Sequence, residues 1–195
     1  MDRPPQPLFL GGQLWIDFVN TRPVLAAGEV DLLPNPQALM AWLRAAELLE
    51  PSVERPQRKA LGGLFAKALR LRDGLRELAA RVPAGKGVPA AAVDLINEIL
   101  GARPGTLQLA RVRGGFALRA HSEQTSTLQL LEPIVASAAA FLCSGDRALL
   151  RRCEGCVLHF YDSTRNHRRR FCSPALCGNR LKVAAFRQRR KAAGR

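Results

Sequence analysis

The chain has 195 residues, 47% hydrophobic and 24% charged, with 30 Lys+Arg against 16 Asp+Glu. That composition excludes wholesale disorder and collagen-like or coiled-coil architecture, and it supplies enough apolar side chains for a good-sized core in one or two domains. The charge is unevenly placed: residues 141–195 hold 14 Lys+Arg and 3 Asp+Glu, carrying +11 of the net +14, the pattern of a nucleic-acid-binding tail and not of charge spread for solubility.

The opening residues, Met1-Asp2-Arg3-Pro4-Pro5, lack the basic start and apolar run of a secretory signal. The longest apolar stretch, Leu128 to Cys143, is short for a bilayer span and is interrupted by Glu132 and Pro133. The expectation is a soluble cytoplasmic protein with no membrane partner.

After a Pro-rich lead, Gly11-Gly12 marks a turn, and Leu14, Trp15 and Phe18 have helical spacing. Asn35-Pro36 predicts an N-cap followed by proline at the first helical position, in a helix that Pro51 ends. A longer amphipathic helix is predicted from Glu54 to Arg81, weakened at its start by Gly62-Gly63. Pro89 to Leu100 repeats the pattern, with Gly101 placed for a C-cap. Leu107 to Val112 and Phe116 to Leu118 alternate about Arg113-Gly114-Gly115, which predicts a β-hairpin. Thr127 to Cys143 is apolar on nearly every side and predicts a buried helix kinked at Pro133. Residues 1–145 thus form a mostly helical domain with a β-hairpin. The composition changes at Ser144-Gly145-Asp146, and residues 146–195 form a second, smaller domain.

All five cysteines lie after residue 142. An odd, clustered count without a secretory signal favours a metal site over a disulfide framework. Cys153 and Cys156 are a C-x2-C pair, and Cys172 and Cys177 a C-x4-C pair. Two such pairs supply four thiolates for one tetrahedral Zn2+, with no open position for substrate, so the ion is structural. The competing readings are four unrelated cysteines or a thioredoxin-like pair; the latter needs a βαβ pattern, and none is visible. His159 and His167 rank behind the cysteines as ligands, and Cys143 reads as a small buried hydrophobe.

Between the pairs, strand-like residues from Val157 to Asp162 and at Arg170-Phe171 flank a polar middle, which predicts a hairpin that joins the pairs and carries Arg165, Arg168, Arg169 and Arg170 at or near its tip. After Cys177 a helix is predicted, bearing Arg180, Lys182, Arg187, Arg189, Arg190 and Lys191, with Val183 and Phe186 anchoring it to the zinc module. At about 100° per residue, Arg180, Arg187 and Lys191 share one face. Arginine bonds phosphate bidentately and reads guanine edges, so these ten residues are the candidate nucleic-acid contacts. DNA is the expected partner. The alternative is a zinc-stabilised RNA-binding protein, which would use exposed aromatics among Phe160, Tyr161, Phe171 and Phe186.

Cys172 through Lys182, with its Cys177-Gly178-Asn179-Arg180 core, resembles the signature of the CGNR zinc finger, in which two cysteine pairs flank a segment like Phe160-Tyr161-Asp162-Ser163-Thr164-Arg165-Asn166. Gly11-Gly12 to Thr21 and the later Leu39, Trp42 and Leu43 are similar to the ABATE domain that commonly precedes that finger. The resemblance implies an α+β protein, a mostly helical domain followed by a treble-clef-like zinc finger, acting as a stress-related transcription regulator. It also implies that Cys153, Cys156, Cys172 and Cys177 hold the zinc. Phe171 stands where the family usually has tryptophan, which keeps an aromatic plug and removes an indole donor.

Two readings of Trp15, Asp17 and Asn20 stand. One is an effector pocket, with Trp15 stacked on a small molecule oriented by Asp17 or Asn20. The other, which the usual role of buried polar groups favours, is a helix packed on the core. No nucleophile elbow, phosphate loop or HExxH motif occurs, so the chain is not read as an enzyme. The N-terminal domain is expected to sense an effector or to form a homodimer, supplying affinity that one small finger lacks.

Overall fold

The computed structural model describes residues 9–25, 28–49, 58–102, 106–112, 115–121, 127–179 and 183. Helix α1, Leu14–Val19, is short and deeply set, with Trp15 to Val19 all buried. Its entry is a tight turn. A Cβ on Gly11 would stand 2.7 Å from Ile16 Cγ2, and Gly12 has φ +77°, so both positions require glycine. The Gly11 N–H donates to Asp17 Oδ1 at 2.7 Å, closing the turn from inside. Two short antiparallel strands follow, β1 Val24–Leu25 and β2 Gly28–Glu29.

Helix α2, Pro36–Ala45, starts as its sequence predicts: Asn35 accepts the Ala38 N–H at 2.9 Å, and Pro36 occupies the first turn. It ends before Pro51. Glu47 adopts φ 59°, and Leu48 and Glu47 donate to the Leu43 and Arg44 carbonyls at 3.0 and 2.9 Å, a Schellman closure built without glycine.

Helix α3, Arg58–Arg81, is the long spine. Leu64, Ala68, Leu71, Leu75 and Leu78 form one fully buried stripe at helical spacing. Gly62 and Gly63 lie within the helix, and the predicted start at Glu54 falls outside the described residues. In helix α4, Ala90–Gly101, Gly101 is the last helical residue and Ala102 takes the cap.

Strands β3, Thr106–Val112, and β4, Gly115–His121, pair antiparallel with Leu109 opposite Leu118, the predicted hairpin. A 3-10 turn, Thr127–Leu131, then leads into α5, Glu132–Ser144. The expected kink at Pro133 is replaced by a helix start, because proline in the first turn gives up no intrahelical hydrogen bond. Nor is α5 buried all round: Ile134, Val135, Ala138 and Phe141 face the core, whereas Cys143 is exposed and is not the buried hydrophobe expected. Thr127–Ser144 is long and apolar enough by composition to cross a membrane, but its inner face packs on α1 and α4.

The core is aromatic at its centre, with Trp15 against Phe141 at 5.1 Å and Phe18 against Trp42 at 5.2 Å between ring centroids. Beyond Gly145 comes a second hairpin, β5 Leu150–Arg152 with β6 His159–Tyr161. Its strands alternate between two clusters. Leu150 and Tyr161 join the N-terminal core, whereas Leu158 and Phe160 belong to a small cluster around the cysteines. Helix α5 ends at Ser144, and the hairpin beyond it packs on the N-terminal core through Leu150 and Tyr161.

The loop after α1 is tied to α3 by a buried guanidinium. Arg72 donates to both Asp31 oxygens at 2.6 and 2.7 Å and to Thr21 Oγ1 at 3.2 Å. Burial opposes ionisation of Asp31, but the bonds from Arg72 and the Leu33 N–H outweigh it and hold the carboxyl below its usual range. Asp31→Asn leaves Arg72 without its counter-charge and is expected to cost about 2–3 kcal/mol, less than a wholly buried pair because Asp31 is partly solvated. A carboxyl depressed in the folded state stabilises above its unfolded pKa, near 4, and that stability fades as pH falls through the lower folded value. Urea unfolding across pH 2–7 should show this acid-side loss in the parent and a smaller one in the variant.

Candidate metal centre and nucleic-acid interface

The cysteine pairs meet because of where the second hairpin turns. Cys153-Glu154-Gly155-Cys156 begins just beyond β5, and the chain returns in β6, with the Cys153 N–H on the Leu158 carbonyl at 2.8 Å. This corrects the expected hairpin. His159–Tyr161 pairs with Leu150–Arg152, and residues 162–173 form a loop that returns the chain to the metal site. The second pair sits at a single wide helical turn, Pro174–Gly178, where the Cys177 and Gly178 N–H groups donate to the Ser173 carbonyl at 3.0 and 3.2 Å. A hairpin knuckle facing a helical turn is the arrangement implied for a treble-clef-like finger.

The four Sγ atoms lie within 4.8 Å of one another, with Cys156 to Cys172 at 3.6 Å and Cys172 to Cys177 at 3.7 Å. Four sulfurs at about 2.3 Å from a tetrahedral zinc are separated by about 3.8 Å, so the cluster fits that ion. Backbone N–H groups of Gly155 and Cys172 donate to Cys153 Sγ at 3.4 and 3.2 Å, offsetting thiolate charge. The donor set also demands a cation. Hydrogen bonds led by that from Cys172 pull Cys156 down to about 5. The bond to Cys156 and then burial hold Cys172 far above the usual thiol range, and burial pushes Cys177 up to about 11. Binding a multivalent cation to such a cluster releases its remaining thiol protons. The four cysteines hold one structural zinc.

Beside the metal, residues 162–171 are organised by one carboxylate that sequence reading passed over. Asp162 is fully buried. It accepts the Thr164 N–H and hydroxyl at 3.1 and 2.5 Å and the Arg169 N–H at 2.9 Å, with Arg151 Nε at 3.7 Å. Burial raises its pKa, but these bonds, led by that of the Thr164 hydroxyl, outweigh it and keep the carboxyl below its usual range. Arg151 also donates to the His167 carbonyl at 2.7 Å, bracing a residue with φ 48°. The Asp162-Ser163-Thr164 signal was visible as an Asx-turn sequence.

The loop arginines divide into different roles. Arg169 lies over the Phe160 ring at 4.5 Å, donates to the Phe171 carbonyl at 2.9 Å and the Leu10 carbonyl at 3.2 Å, and also bonds the Cys172 carbonyl. Its guanidinium is thus engaged within the fold. Arg170 forms an exposed bidentate pair with Glu154 at 2.7 and 2.5 Å. Arg165 and Arg168 are exposed on the loop. Arg180, Lys182, Arg187, Arg189, Arg190 and Lys191 lie outside the described residues, as does Phe186. Val183 is 49% exposed, unlike the anchor it was expected to be.

The three effector candidates are placed just as distinctly. Trp15 is fully buried, its indole N–H on Gln13 Oε1 at 2.7 Å. Asp17 is buried against the Gly11 turn, and that burial raises its pKa to about 6. Asn20 clamps the finger: its amide donates to the His159 carbonyl at 2.8 Å, and its Oδ1 accepts the His159 N–H at 2.9 Å. The Tyr161 N–H adds a bond to the Gly11 carbonyl at 2.7 Å. These contacts across 139 or more residues join the finger to α1.

Residues 12–145 match the family model ABATE, described as "Putative stress-induced transcription regulator", and residues 150–190 match that of the CGNR zinc finger. The first match covers more than half of the chain, which belongs to the ABATE family. No curated protein sequence matches it.

Cys172→Ser is expected to abolish zinc retention, measured by metal analysis, and to expose β5, β6 and the 162–171 loop to hydrogen exchange while α2 to α5 stay protected. Asn20→Ala should keep the zinc yet accelerate exchange at the His159 and Tyr161 amides, with a stability loss of about 1–3 kcal/mol from the unsatisfied backbone groups.

Proposed function

We propose that this ABATE-family protein is a cytoplasmic transcription regulator that binds duplex DNA through its zinc-held C-terminal finger, the N-terminal domain sensing a small-molecule effector or forming a homodimer. It acts by binding and not by catalysis. The observation that carries this reading is the pair Arg165 and Arg168, exposed on a loop that Asp162, Arg151 and Arg169 brace directly beside the metal centre. A rigid cationic loop loses little entropy on meeting phosphate, and the 14 Lys+Arg against 3 Asp+Glu of residues 141–195 add the long-range attraction. Phosphate contacts from this loop and from the basic segment after Cys177 set the register, and a few arginines read base edges.

The RNA alternative finds less support. Single-strand readers stack bases on exposed rings, but Phe160 is fully buried, and Tyr161 packs edge-on against Phe141 at 6.2 Å. Phe171 is half-buried, with Arg170 5.8 Å from its ring centroid.

Arg165→Ala combined with Arg168→Ala should weaken binding to duplex DNA across sequences and lower the salt dependence by about two phosphate contacts, with zinc content unchanged. Arg169→Ala should behave differently, loosening the fold around Cys172 before it touches binding. Gel shifts with a duplex and a single-stranded RNA over a salt series test both statements. A preference for RNA, or binding indifferent to salt, overturns the DNA reading.

A further inference from the structure

The seam between the two parts of the chain opens into a cleft of about 770 Å³. One wall comes from α1 and the end of α3, the other from the hairpin of the finger. Three arginines line it, Arg22 and Arg76 from the helical side and Arg152 from the finger. Between them the walls are apolar, including Val19, Ala80, Val157 and Leu158. Glu77, on the same lining, pairs with Arg81 at 3.4 Å, and Asp73 stands 4.0 Å from Arg22. His159 also lines the cleft. Burial, then the charges of Arg152 and Arg76, lower its pKa to about 4, so the ring stays neutral while sensing two of the three guanidiniums.

We infer that this cleft binds a small organic anion, a carboxylate carried on a compact apolar body. The size suits a ligand of metabolite to drug dimensions, and a few charged groups set in apolar walls are the usual build of such sites. A polymer backbone fits it poorly, because phosphate tracks need an open polar groove, whereas this recess has walls from two parts of the fold. The inference rests on the proposed sensing role of the N-terminal domain and gives that role a location. Of the three effector candidates, only Asn20 lines the cleft, and it is the residue that clamps β6. A ligand seated here touches Arg152 of the finger and Arg76 of α3 together, so its binding is coupled to how the finger is held.

The test uses the full zinc-loaded chain and saturation-transfer NMR with benzoate and octanoate, their uncharged amides as controls, and inorganic phosphate as an anion without an apolar body. The carboxylates are expected to bind and the amides not. Arg76→Gln with Arg152→Gln should weaken carboxylate binding by roughly ten-fold or more, the scale of a lost charge-assisted hydrogen bond, with zinc content unchanged. Binding of the amides equal to that of the acids, carboxylate binding indifferent to the double substitution, or no carboxylate binding at about 10 mM overturns the assignment. It is also overturned if phosphate displaces benzoate at equal concentration, since that makes the cleft part of the nucleic-acid face. A chain that binds carboxylates but no duplex sinks the DNA reading and leaves the cleft standing; the reverse result sinks the cleft alone.

Discussion

Four sulfurs packed within 4.8 Å of one another cannot all ionise without a shared cation, and the C-terminal part of the structure is arranged around that constraint. Among the described residues the cluster beside them is small: Leu158 and Phe160 are its buried apolar side chains other than cysteine, with Leu10 and Phe171 partly buried against it. That is too little apolar surface to offset the conformational entropy of some thirty ordered residues. A structural zinc site contributes on the order of 10–16 kcal/mol in apparent binding free energy, which turns a marginal segment into a fixed one. The Asp162 loop and the Pro174–Gly178 turn bring the second cysteine pair to where the ligands must stand.

Zinc alone does not orient the finger. The Leu10 carbonyl accepts from Arg169, the Gly11 carbonyl accepts from Tyr161, and Asn20 makes two bonds to the His159 backbone. Leu150 and Tyr161 meanwhile place apolar surface in the larger core. Hydrogen bonds between rigid partners fix direction, and apolar burial supplies the adhesion. The tight Gly11-Gly12 entry makes this possible, since it brings backbone carbonyls to the edge of β6 with α1 directly behind them. The helical domain thereby fixes the orientation of its finger through these bonds.

Features decided within a few residues were legible in the sequence. Asn35-Pro36 started α2, the alternation about Gly115 formed β3 and β4, and two cysteine spacings identified the metal site. Features decided by distant partners were not. The segment Val157 to Asp162 reads as strand, but nothing local says whether it pairs forward with Arg170-Phe171 or backward with Leu150–Arg152. The backward pairing forms because it puts Leu150 and Tyr161 on the N-terminal core. Helix α5 is apolar all round, so its composition could not reveal that Cys143 faces outward. Asn20 reads as a helix-end polar residue; its partner lies 139 positions away.

The arginines show most clearly why charge counting has a limit. By sequence, Arg168, Arg169 and Arg170 are equivalent members of one basic run. Within the fold their surroundings separate them. Alternation along an extended segment turns Arg169 inward, over Phe160 and onto three carbonyls, while its neighbours face solvent. Arg170 then finds Glu154 and is partly neutralised, leaving Arg168, with Arg165 earlier in the loop, as exposed charge. Without Arg169 closing on the Phe171 and Cys172 carbonyls the loop would sample many conformations, and under the proposed DNA reading each phosphate contact would have to overcome that ordering entropy. The basic run therefore holds a brace, Arg169, between exposed cations, and its net charge overstates the number left facing solvent.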